Sequence, residues 1–83
     1  MLNSETEAAR AILQETGYTF AETQALNARQ GTVLTLDDAE NVARIIVMRQ
    51  VCRAAEKQMA VQVERRADWT AIAAEWMFQS TAQ

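Results

Sequence analysis

The chain has 83 residues, a formal charge of −3 and no histidine. Such a length makes one domain, residues 1–83, near the lower limit for a fold that stands without disulfides or metals. A hydrophobic content of 49% with no proline and two glycines suits a helical bundle, and it excludes a disordered or β-rich chain. The single cysteine can form no intramolecular disulfide and no signal peptide is visible, so a reducing, cytoplasmic setting is expected. Without histidine the commonest general base and metal ligand are missing, and no calcium-loop spacing occurs; neither enzymatic activity, cofactor nor metal is expected.

The first helix is predicted over 4–16. Ser4-Glu5-Thr6-Glu7 has capping-box spacing, and Ala8, Ala9, Ile12 and Leu13 make a narrow apolar stripe. Gly17 fits the left-handed position past its end, with Tyr18 able to pack back on Leu13. A second helix follows over 19–30, opened by Thr19-Phe20-Ala21-Glu22 and closed by Gly31. Its apolar face is thin, carried by Phe20, Ala21, Ala25 and Leu26. Thr32-Val33-Leu34 reads as an extended connector whose apolar residues plug the bundle end.

The stretch 36–66 is expected to be one long central helix, capped by Thr35 with Asp37 and Asp38 in its first turn. Ile45, Met48, Cys52, Ala55, Met59 and Val63 share one arc of the helical wheel. Ala43, Val47, Val51, Ala54 and Val61 widen it beyond what one neighbour covers. The joint at 66–68 has no glycine or proline, yet Asp68 is a good N-cap, so a break is expected before a last helix over 68–80. The predicted fold is all-α: a small four-helix bundle on a long central helix, forming a homodimer in which Val47, Val51 and Trp76 are buried between copies. No stretch is apolar enough for a membrane span, since the best window, 42–63, carries Arg44, Arg49, Arg53, Glu56 and Lys57.

Charge is segregated. Residues 1–40 hold seven acids against two bases, and residues 41–66 hold six bases against two acids. Arg49, Arg53 and Lys57 follow one another at i, i+4, a self-repelling row that suits an anionic contact or neutralisation by the acidic flanks. In the last helix Trp69, Ile72, Ala73 and Trp76 share a face, whereas Met77 and Phe78 point elsewhere. Trp69, Trp76, Met77, Phe78, Val47 and Val51 are therefore the expected partner-binding residues.

The run ILQETGYTFAET, Ile12 to Thr23, resembles the helix-turn-helix of bacterial and phage regulators. It departs from that pattern at Leu13, where such motifs carry a small alanine four residues before the turn glycine. The resemblance implies nucleic-acid binding, with the second helix in the major groove and Gln24, Asn27, Arg29 and Gln30 reading bases. That helix offers one positive charge, fewer than phosphate contacts demand. The leading expectation is a non-enzymatic protein–protein interaction module, an adaptor, antitoxin-like protein or inhibitor docking on a larger partner. The alternative is the DNA-binding regulator.

Overall fold

A computed structural model describes residues 3–54 and 57–81. The described chain is all-α, with helices α1 (Ser4–Glu15), α2 (Phe20–Ala28), α3 (Leu36–Arg53), α4 (Lys57–Arg66) and α5 (Trp69–Thr81). Local chemistry accounts for the starts. Thr19 Oγ1 accepts from the Glu22 amide at 3.2 Å, and Thr35 forms a full capping box with Asp38 at the head of α3. The Thr35 amide and hydroxyl both donate to the Asp38 carboxylate and hold its pKa below the ordinary value. At α1 the cap is Asn3 rather than Ser4. Asn3 Oδ1 accepts from the Thr6 amide at 2.7 Å and from the Thr6 hydroxyl at 2.6 Å. Gly17 and Gly31 adopt φ of 74° and 77°, the left-handed conformation that ends a helix cheaply only at glycine.

The expected 36–66 helix is two helices. Arg44 Nε lies 3.2 Å from Glu64 Oε1, although twenty residues of continuous helix would hold them about 30 Å apart. The chain therefore turns back after Ala54, where ψ has opened to 1°. Phase explains the turn. Ala39, Ala43, Val47 and Val51 form the buried row of α3, and Ala60 and Val63 that of α4. On one unbroken wheel Ala60 and Val63 would fall roughly opposite Ala43 and Val47, so both sets reach one core only if the helix folds over. The expected arc member Ala55 and its neighbour Glu56 lie outside the described residues.

The core face of α3 also differs from expectation. Ile45 is 54% exposed and Cys52 is exposed, while the smaller Ala39 and Ala43 are fully buried. The bulk of the core comes from α5 instead: Trp69, Ile72, Ala73 and Trp76 are all buried, and α5 packs mainly along α3. Larger residues on that row would overfill the seam. Around this pair α1 contributes Ala9 and Leu13, α2 contributes Phe20, and the connector contributes Leu34. Val33 stays in solvent, so only one of the two connector residues plugs the bundle.

The break at 66–68 is present, and the N-terminus secures it. The buried Thr6 hydroxyl accepts from the Asp68 amide at 2.8 Å. Asn3 Nδ2 donates to the Arg66 carbonyl at 2.6 Å, and Glu5 pairs with Arg66 at 3.3 Å. Asp68 then caps α5 by accepting from the Ala71 amide. Among the described residues, no helix is long and apolar enough to cross a membrane.

Candidate partner-binding site

The candidate site is a cleft of about 240 Å³ between the second half of α1, the turn at residues 16–19 and the last turns of α5. Its construction starts at Gly17, whose positive φ lets the chain leave α1 sharply. Thr16 closes the helix end by donating its hydroxyl to the Leu13 carbonyl at 2.7 Å. The following turn is pinned from α5: Trp76 Nε1 donates to the Tyr18 carbonyl at 3.1 Å. The Phe20 ring meets the same indole edge-on, with centroids 5.5 Å apart and planes at 78°. One tryptophan thus fixes the height of the turn and the direction of α2.

Leu13, Ile72 and Trp76 line the apolar floor, while Gln14, Gln79 and the half-exposed Tyr18 are among the residues at its polar and aromatic edge. An ion pair between Arg10 and Glu75 ties α1 to α5 beside it. The arrangement can seat one or two apolar side chains of a partner segment and offer amide and charged groups to that segment's backbone. Among the described residues, no three of His, Cys, Asp or Glu converge closely enough to hold a metal ion.

The expected partner-binding residues are distributed differently. Trp69 and Trp76 are buried within the one chain, as are Val47 and Val51. The apolar arc of α3 that called for a second copy is covered by α5, α1 and α4, so the dimer expected through Val47, Val51 and Trp76 has lost its premise. Trp69 has its own assignment. Its Nε1 donates to the Glu64 carbonyl at 3.2 Å, and the Arg44 guanidinium lies 5.3 Å from the ring centroid. Arg44 Nε is buried without an aligned acceptor, so its link to Glu64 is an ion pair and not a hydrogen bond. Met77 is half-buried against the core, and Phe78 is 73% exposed on the side of α5 away from Trp76.

Arg49, Arg53 and Lys57 are all exposed, and none forms an ion pair among the described residues. The break after Ala54 interrupts their i, i+4 row, leaving Arg49 and Arg53 on α3 and Lys57 at the start of α4. Of the residues that would read DNA, Gln24 is engaged: its Oε1 accepts from the Leu34 amide at 3.2 Å and holds the connector. Arg29 and Gln30 lie beyond the last residue of α2, and Asn27 uses its carbonyl to accept from Gln30, Thr32 and the Thr32 hydroxyl. The helix that would enter the groove rests on α5 through Phe20 and Trp76.

Sequence reasoning placed Trp76 at the site but missed Arg10, Gln14, Tyr18 and Gln79. Gly17 marked the turn, but nothing local told which helix would pack against it. Comparison with known protein families, curated proteins and solved structures finds no match.

Proposed function

We propose that this chain is a small non-enzymatic helical interaction module that docks on a larger intracellular protein. A short apolar segment of that partner sits in the cleft between α1 and α5. The observation that supports this reading is the cleft itself, an apolar floor left open beside the half-exposed Tyr18 in so small a bundle. Regulatory, adaptor and inhibitor roles all fit such a surface.

The test is affinity capture from native lysate, with nuclease added, using wild type and Gln14→Trp. Gln14 lines the cleft and is exposed, so the indole fills the space without entering the core. A protein captured by wild type and lost with Gln14→Trp at unchanged thermal midpoint fits the proposal; equal capture by both removes the cleft as the site. Salt-dependent binding to duplex DNA that weakens with Arg29→Glu would favour the helix-turn-helix reading instead.

A further inference from the structure

The hairpin of α3 and α4 turns toward solvent a face that is cationic around an aliphatic centre. On an ideal wheel Ile45 points about 180° away from the buried row of α3, with Arg49 about 40° to one side and Arg53 a turn further on. On α4, Val61 and Arg65 point about 130° and 170° away from the buried Ala60 and Val63. The chain turns back after Ala54 and sets Arg44 beside Glu64 at 3.2 Å. Counting back from that pair at equal rise, Val61 comes level with Val47, between Ile45 and Arg49, and Lys57 level with Val51, between Arg49 and Arg53. Ile45 and Val61 are each 54% exposed. Arg49, Arg53, Lys57 and Arg65 are exposed around them, and none forms an ion pair among the described residues. The acids at hand are committed or remote. Glu64 is paired with Arg44, and Asp38, about two turns from Ile45, is held by Thr35.

We infer that the outer face of the α3–α4 hairpin is a docking surface for an acidic segment of a partner protein, one that carries apolar side chains between its carboxylates. Charge complementarity names the occupant. Cations gathered on one face repel one another, and carboxylates from outside relieve that repulsion while steering the encounter. The aliphatic centre names the class. A phosphate backbone would satisfy the cations but leave Ile45 and Val61 in water, and this face has no aromatic ring on which a base could stack. An acidic amphipathic segment serves both: its carboxylates meet the arginines and lysine, and its apolar side chains cover the isoleucine and valine. The face shares no residue with the lining of the cleft between α1 and α5, so either assignment can fail alone.

Fluorescence anisotropy at low salt tests it with three labelled probes: a helical peptide of glutamates and leucines, the same peptide with serine for leucine, and a duplex DNA of equal charge. Wild type should bind the first peptide most tightly. Loss of the leucines should weaken binding about tenfold, and the duplex should bind more weakly than the first peptide. Arg49→Glu with Lys57→Glu should weaken the first peptide about tenfold at unchanged thermal midpoint, since both residues are exposed. Arg49→Gln with Lys57→Gln, which removes the charges without adding acids, should fall between that variant and wild type. Gln14→Trp, in the cleft, should bind as wild type does. A wild type that ignores the first peptide, serine and leucine peptides that bind alike, a duplex that binds more tightly, or charge variants that bind undiminished would each overturn the inference.

Discussion

Thr6 shows how much one hydroxyl can hold. It is fully buried, donates to Asn3 and accepts from the Asp68 amide, so its two functions join α1 to the corner between α4 and α5. Thr6→Val keeps the shape and removes both bonds, leaving a backbone amide short of its acceptor. The expected cost is about 1–3 kcal/mol by urea unfolding. A cost near zero would mean that water replaces the hydroxyl. Asp38 makes a different statement, about pH. Its folded pKa lies below the ordinary carboxylate value because the Thr35 amide and then the Thr35 hydroxyl bind the charged form. The stability it contributes is complete above the unfolded value and is lost as pH falls through the folded one. Thr35→Ala should cost about 1 kcal/mol at neutral pH through loss of the cap, whereas Asp38→Asn removes the titrating group itself and should flatten the acid limb of the stability profile. A limb unchanged in Asp38→Asn would assign the acid sensitivity to other carboxylates.

At the scale of elements, most helix ends were readable because caps are local. Thr19, Thr35, Asp68 and the two glycines each act on amides or carbonyls a few positions away, and each stands where expected. Asn3 was not read because Ser4 offered the more familiar spacing, and only the distant Arg66 carbonyl gives Asn3 a second bond. The turn after Ala54 was hidden for another reason. It has no breaker, and the shift in apolar phase between α3 and α4 was read as one wide arc. The same wide arc holds both Ile45 and the buried Ala43, Val47 and Val51, and wheel position alone does not say which part of an over-wide arc faces the core. In this bundle the large residues come from α5 and the small ones from α3, so size on α3 runs against burial. The candidate cleft was half legible: the aromatic end of α5 was visible, and its juxtaposition with Gly17 and Tyr18 was not. Two substitutions separate the old and new faces. Val47→Asp should prevent folding by burying an unpaired charge. Ile45→Asp should leave the stability of the single chain within about 0.5 kcal/mol, as exposed substitutions usually do. Chemical unfolding at low protein concentration distinguishes them.

For the whole molecule, the fold-back between α3 and α4 decides shape. A continuous 36–66 helix would be about 46 Å long, whereas the longest dimension of the described bundle is 38 Å. Cysteines placed at Arg44 and Glu64 in a Cys52→Ser background should be bridged within one chain by a short bis-maleimide. Failure to bridge would restore the straight helix. The turn also redistributes charge. Of the ion pairs among the described residues, Glu5–Arg66 joins an acidic flank to the basic middle, Arg44–Glu64 lies within that middle and Arg10–Glu75 joins the two flanks, so Arg49 and Arg53 on α3 and Lys57 and Arg65 on α4 are left facing solvent.

The clamp that Asn3 and Thr6 place on Arg66 and Asp68 also has a kinetic side. Its two hydrogen bonds join positions 63 and 62 residues apart. Closing a flexible loop of that size costs about 3.7 kcal/mol of chain entropy beyond a constant. Such contacts are made after the helices have found one another, late on the way to the native state. Weakening them should therefore leave the refolding rate nearly unchanged and shorten the life of the folded protein. In stopped-flow experiments Thr6→Val should shift the unfolding arm of the chevron upward while its refolding arm overlays that of wild type. The contact between the start of α1 and the α4–α5 corner would then govern how long this bundle lasts, and the packing among the helices how fast it forms.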